Sequence, residues 1–341
     1  MAERTSFGNP LVEQRTLLAG RGFVRLERSV FRVSGAEHLE WLHSFLTTDF
    51  KNLKPGVGRE ALLLSATGHI ERVFHAVDDG EATLLITSVD EDGKFAAWLK
   101  RMVLRSRVVV EVLTDEVQVL GGFGELSADA QVFGGQALAL WQDPWPNTVL
   151  GGARYAAAPV EPWKYFEAVL PGSIDLGELA AAADLSEVGT DALEALRIAA
   201  HRPSVVDIDD RSLPHEFDWL ATAVHLSKGC YRGQETVAKV HNLGHPPRRL
   251  VMLHLDGSGH LLPELGAEVS LGEVVVGKVT SAAQHHEMGP IALALVTRRT
   301  DEAAELSVGG IAAAQELIVP ASAGKAANID AQRTLLMGKR G

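Results

Sequence analysis

The stretch that most constrains this chain is Lys228-Gly229-Cys230-Tyr231-Arg232-Gly233-Gln234-Glu235, which holds the single cysteine of 341 residues. Two glycines flank the thiol, and Gln234-Glu235-Thr236-Val237-Ala238-Lys239-Val240 follows with helix-forming composition. The segment therefore predicts a glycine-rich loop running into a helix N-terminus. Glycine has no Cβ, so the backbone can take positive φ or let another group approach closely. Free N–H groups and the dipole at a helix start favour an anion there. Lys228 and Arg232 add to that field, which would make Cys230 more thiolate than a free cysteine. The alternative for one isolated cysteine is a small buried hydrophobe.

The run KGCYRGQE, followed by Thr236-Val237-Ala238-Lys239 and then Gly244…Arg248-Arg249-Leu250, resembles the YgfZ family of folate-binding proteins. These are relatives of the glycine-cleavage T-protein, the aminomethyltransferase. Weaker landmarks follow in the same order: Val33…Gly35-Ala36…Phe45-Leu46-Thr47-Thr48-Asp49, Leu62…Gly68-His69-Ile70, and Leu196-Arg197-Ile198-Ala199-Ala200. Asp207, Leu213-Pro214-His215-Glu216 and Gly277-Lys278-Val279-Thr280-Ser281 complete the series, so the likeness spans roughly residues 22–320. The resemblance implies an α+β fold of three domains in a ring, closed by a C-terminal β-barrel, with tetrahydrofolate in the central opening. It further implies a role in making or repairing iron–sulfur proteins, with those proteins or their assembly factors as partners.

Composition narrows the classes. A chain with 46% hydrophobic and 22% charged residues can bury cores for two or three domains. A net charge of −12 argues against general nucleic-acid binding, which needs a basic face to displace phosphate counterions. One cysteine rules out an internal disulfide and points to a reducing compartment. The N-terminus shows no apolar signal-peptide core, and no apolar run reaches the ~18 residues of a membrane helix. The expected location is the cytoplasm.

Along the chain, residues 1–21 and 321–341 read as mobile tails. Residues 22–145 read as an N-terminal α+β folate-binding domain, 146–247 as a second α+β domain carrying the motif, and 248–320 as a β-barrel. Ser34-Gly35-Ala36-Glu37 has the spacing of a capping box, ahead of a helix with Leu39, Leu42, Phe45 and Leu46 on one face. Asp78-Asp79-Gly80-Glu81 is a hairpin turn. Pro144, Pro146 and Asn147 mark a loop, and residues 150–170 read as two strands around a proline turn. Residues 184–200 read as helix. Val117–Gly124 repeats weakly the strand–glycine–helix unit of 30–46, and Gly122-Phe123-Gly124 lacks the third glycine of a dinucleotide fingerprint. After Arg248, short strands at turn-punctuated spacing predict the barrel.

Departures from the related enzyme bear on the reaction. In aminomethyltransferases, aspartates follow the turn matching Gly68-His69-Ile70, and one is placed at the folate nitrogen. Here Arg72 and Val73 stand there, with Glu71 just before. A cation or an isopropyl group cannot serve as that carboxylate, and Glu71 would need a one-residue register slip that flips its face. A folate-dependent one-carbon transferase is the alternative function, and Glu71, Glu161 or Asp207 would then supply the base.

The remaining site residues each carry two readings. Arg197 matches a folate-contacting arginine, able to bond a pterin or a glutamate tail through its planar fork, or it is a solvent-facing helix charge. Arg154 opens the segment that resembles the second folate-facing strand, with Phe166-Glu167 and Pro171. Trp163 stacks on a pterin ring or belongs to the core. Lys228 and Arg232 hold a folate carboxylate or a partner's acidic groups, or they rim a solvated loop. Gln234 and Glu235 cap the helix start, and Tyr231 is packing or function. Cys230, His241 and His245, with His285-His286, lack the paired spacing of zinc sites, so no permanent metal is expected.

Overall fold

A computed structural model describes residues 4–124, 136–145, 147–156, 163–259 and 261–325. The N-terminal segment, expected to be loose, folds onto the body. Asn9 caps helix α1 (Pro10–Leu18) through its side chain, and Pro10 supplies a preset first turn. Leu17 is fully buried, and the buried Glu13 carboxylate accepts the backbone N–H groups of Phe7, Gly8 and Gly189. Those bonds hold the segment down although its sequence looks polar.

Three β-sheets follow among the described residues. The first comprises β2 (Ser29–Ser34), β3 (Gly58–Leu64), β4 (Ile70–Asp78), β5 (Ala82–Thr87) and β6 (Val109–Val112), ordered β3-β4-β5-β2-β6. Helices α2 (His38–Phe45) and α3 (Lys94–Met102) cover one face, burying Leu42, Phe45, Phe95 and Leu99 against Phe31, Leu63 and Phe74. Each such side chain contributes roughly 1.5–3 kcal/mol. The predicted turn at Asp79-Gly80 joins β4 to β5, with Gly80 at φ +96°. Ser34, expected to cap α2, instead ends β2. Gly35 turns the chain at φ +104°, and Glu37 spends its carboxylate on the Arg107 N–H.

The second sheet is also five-stranded. It gathers β1 (Gly22–Leu26), β7 (Val117–Phe123), β8 (Ala139–Gln142), β9 (Tyr165–Pro171) and β10 (Ser186–Glu187). A boundary at residue 145 therefore cuts through one sheet. Strand β1 leaves its sequence neighbours and pairs with β7 and β10, while β7 and β8 both reach β9. Of the span expected to be helix from 184, helix α4 (Leu176–Ala183) ends before it, and α5 (Thr190–Ala199) begins after β10. Of the two strands expected within 150–170, β9 is the one among the described residues. Pro146 and Glu161 lie outside them, as does the helix of the proposed repeat.

The C-terminal barrel forms as expected and is closed: β11 (Arg248–Leu255), β14 (Gly289–Thr297), β13 (Val274–His285), β12 (Glu268–Leu271), β15 (Leu306–Val308) and β16 (Ile311–Leu317). Closure leaves no open sheet edge. Helix α5 packs between barrel and second sheet, with Ala195 and Ile198 in one core and Ala192 and Leu196 in the other. Residues 321–325 are held as well: the Lys325 N–H donates to the Gly244 carbonyl, and Ala323 is buried. None of the described helices is long and apolar enough to cross a membrane.

Candidate functional site

Where the two open sheets face each other across the start of α5, they enclose a cavity of about 350 Å³. Leu26, Val73, Ile86, Leu193 and Trp163 supply apolar wall, and His75, Glu167, Asp191 and Glu194 supply polar groups. This is the mixture of apolar surface with few placed polar groups that small-molecule sites use. Strand alternation decides what β4 offers. Val73 and His75 face the cavity, while Arg72 turns away, its guanidinium over the Phe95 ring and bonded to Ser88. Glu71 is exposed and pairs with Arg232 at 3.1 Å. No carboxylate of β4 therefore faces the cavity.

One polar pairing was not anticipated from sequence. The Glu167 carboxylate is fully buried on β9, with Oε2 2.8 Å from His75 Nδ1. Its Oε1 accepts from Tyr165 at 3.1 Å and from Arg28 at 3.3 Å. Burial alone would raise its pKa; His75 and Arg28 outweigh that and hold it at about 2. The His75 ring stacks on Trp141 at 3.6 Å and 3°. The signal available in sequence was His75 two residues beyond Val73 on one strand face.

The motif loop is built as predicted but serves a different surface. Helix α6 (Gln234–Leu243) starts at Gln234, and Gly233 caps it at φ +83°. A Cβ on Gly233 would lie 2.7 Å from the Ser65 carbonyl oxygen, and one on Gly68 would lie 2.8 Å from Thr236 Cβ. Two glycines thus let the loop press onto the β3–β4 turn. Lys228 is buried, and its ammonium donates to the carbonyls of His43, Leu46 and Thr48 at 2.6, 2.5 and 3.0 Å. Those carbonyls end α2, where a cation is favoured. Lys228 is thus a clamp, its three donors spent, in place of the folate or partner contact read from sequence. Tyr231 is core packing. Gln234 does not cap the helix; its amide donates to the Lys228 carbonyl and closes the loop. Cys230 is exposed and its thiol is free. No residue of 228–235 lines the cavity, so the sulfur and the cavity are separate features.

The other predicted residues divide the same way. Arg197 lines the cavity wall but is buried, and its five N–H groups go to Glu194 twice, the Arg202 carbonyl, Asp207 and Ser281. It ties α5 to the barrel and has no donor left for a ligand. Asp207 is likewise consumed, by Arg197, Thr280, Ser281 and the Ser204 N–H. Arg154 lies outside the cavity, over the Trp145 ring and bonded to Thr148 and Asn147. Trp163 does both jobs, lining the cavity while donating to Asp143 at 2.8 Å inside the core. His241 meets the Tyr155 hydroxyl, His245 the Ala323 carbonyl, and His286 Gln14. Among the described residues, no three His, Cys, Asp or Glu side chains gather as a metal site.

Comparisons with known proteins place the architecture. No family model matches the chain. A chloroplastic protein of Arabidopsis thaliana named as a transferase is 26% identical over 268 residues, 73% of this chain. The match spans 59% of that relative's length. The crystal structure of the glycine cleavage system aminomethyltransferase T from Bartonella henselae superposes with a TM-score of 0.72. That superposition covers 93% of this chain and 91% of that one at 19% identity. The α+β architecture with its closed six-stranded barrel is the aminomethyltransferase T fold.

Proposed function

We propose that this chain binds tetrahydrofolate in the central cavity and serves iron–sulfur proteins or their assembly factors, presenting Cys230 to them, as the YgfZ resemblance implies. The observation that carries the reading is the wall of β4: an aminomethyltransferase fold whose cavity receives Val73 where the enzyme's aspartate is expected. The cavity's residues suit a reduced folate. Leu26, Val73, Ile86 and Leu193 would sandwich a ring, while Asp191 and Glu194 would take its N–H donors. Bound tetrahydrofolate supplies nucleophilic nitrogens able to carry a one-carbon unit. Away from the cavity, the exposed thiol of the clamped motif loop suits contact with a partner.

The transferase alternative takes its base from among Glu71, Glu161 and Asp207, and neither of the two described residues of that set is free in the cavity. Glu71 is paired at the surface, Asp207 is bonded on both oxygens, and Glu161 lies outside the described residues. Turnover of a methylated amine with tetrahydrofolate by the purified protein would restore that reading. The cofactor-assisted role is tested in cells lacking the protein, complemented with wild type or Cys230→Ser. Iron–sulfur enzyme activity should fall on deletion and recover with wild type alone. Full recovery with Cys230→Ser would remove the thiol from the mechanism.

A further inference from the structure

Neutral imidazole carries one N–H, and its partner fixes which nitrogen is bare. With the ring neutral, Glu167 is a carboxylate with no proton to give, so the short contact at 2.8 Å requires the one proton on His75 Nδ1. Nε2 is then an acceptor. It has no protein partner among the described residues, and the ring lines the cavity. Two constraints keep it so. Trp141 stacks flat on the imidazole and prevents the ring from tilting, and Tyr165 and Arg28 anchor the far carboxylate oxygen. A group preorganised this tightly discriminates by what it leaves unpaired: a ligand atom with no hydrogen to offer would strand Nε2 in a partly desolvated site.

We propose that the Glu167–His75 pair is a specificity element of the cavity, selecting a ligand that presents an N–H to His75 Nε2. Resting on the folate reading above, this means a reduced pteridine, whose N5 and N8 each carry an N–H, over the oxidised ring, whose N5 and N8 are bare. Glu167 is the positioning residue and His75 the one that touches ligand.

The chemistry around Glu167 supplies a sharp variant. In Glu167→Gln the amide must place its oxygen toward two donors, Tyr165 and Arg28, and its NH2 toward His75. His75 Nδ1 must then accept, and the proton moves to Nε2. The side chain keeps its shape while the cavity acceptor becomes a donor.

The experiment combines nitrogen-15 NMR of the histidine rings at pH 8 with calorimetric titration of tetrahydrofolate and of folic acid. Wild type should show a bare Nε2 on His75 and bind tetrahydrofolate at least about tenfold more tightly than folic acid. Glu167→Gln should show Nε2–H and lose that preference. A protonated Nε2 in wild type overturns the proposal, as does equal affinity for the two folates, and both leave folate binding intact. Failure of either folate to bind overturns the folate reading, and the proposed selectivity with it.

Discussion

Replacing Lys228 by methionine separates two roles that a cation in this loop could have. The ammonium holds three carbonyls at the end of α2, two of them, Leu46 and Thr48, in buried bonds. Methionine keeps the apolar stem and removes all three donors. A buried carbonyl left without a partner costs about 1–3 kcal/mol, so two give a loss of about 2–6 kcal/mol. The lower half of that range is expected, about 2–4 kcal/mol, because methionine has no charge to desolvate. Desolvation is considerable here: burial pulls the Lys228 pKa from 10.5 to about 8. Urea unfolding should show a lower midpoint, and hydrogen exchange should quicken in the last turn of α2. Arg232→Gln is the control: its pairing with Glu71 lies at the surface, where such pairs contribute little. A Lys228→Met protein within about 0.5 kcal/mol of wild type, but weakened for folate or a partner, would refute the clamp.

Other outcomes follow from the same geometry. Gly233→Ala should destabilise by about 2 kcal/mol or more, since it combines positive φ with a Cβ 2.7 Å from the Ser65 oxygen; Gly229→Ala, whose nearest neighbour is His43 at 3.9 Å, should not. Thermal unfolding of the two variants checks this. Glu167 has a pKa lowered from 4.5 to about 2 in the folded state, so its ionised form contributes about 3 kcal/mol above the unfolded value. That contribution declines as pH falls from about 4.5 through about 2, and Glu167→Gln should flatten this limb of an acid-unfolding curve. Cys230→Ser should leave stability within about 0.5 kcal/mol, and a maleimide should label the folded wild type to completion.

Much of the fold was legible because it rests on local pattern. The barrel strands announce themselves by apolar runs between turn residues, and the motif glycines sit where positive φ and close approach demand them. What failed was long-range. Nothing near β1 says that it will pair with β7 and with Ser186-Glu187, leaving β2 to another sheet. The cations show the same limit. Lys228 and Arg197 look like ligand-binding groups because sequence shows a charge without its partners, and those partners come from α2 and from the barrel. Glu167 was visible as one residue of a strand, but its pairing with His75 needed two sheets to meet.

Ligand binding by this protein is assigned to the cavity between the open sheets. Calorimetric titration of tetrahydrofolate into wild type and into Leu193→Trp, which fills that space from α5, tests it most directly. Wild type should bind saturably and the filled variant not at all, with helix content unchanged by circular dichroism. Equal binding by both proteins would place the ligand elsewhere, and no binding by wild type would leave the aminomethyltransferase fold without its folate.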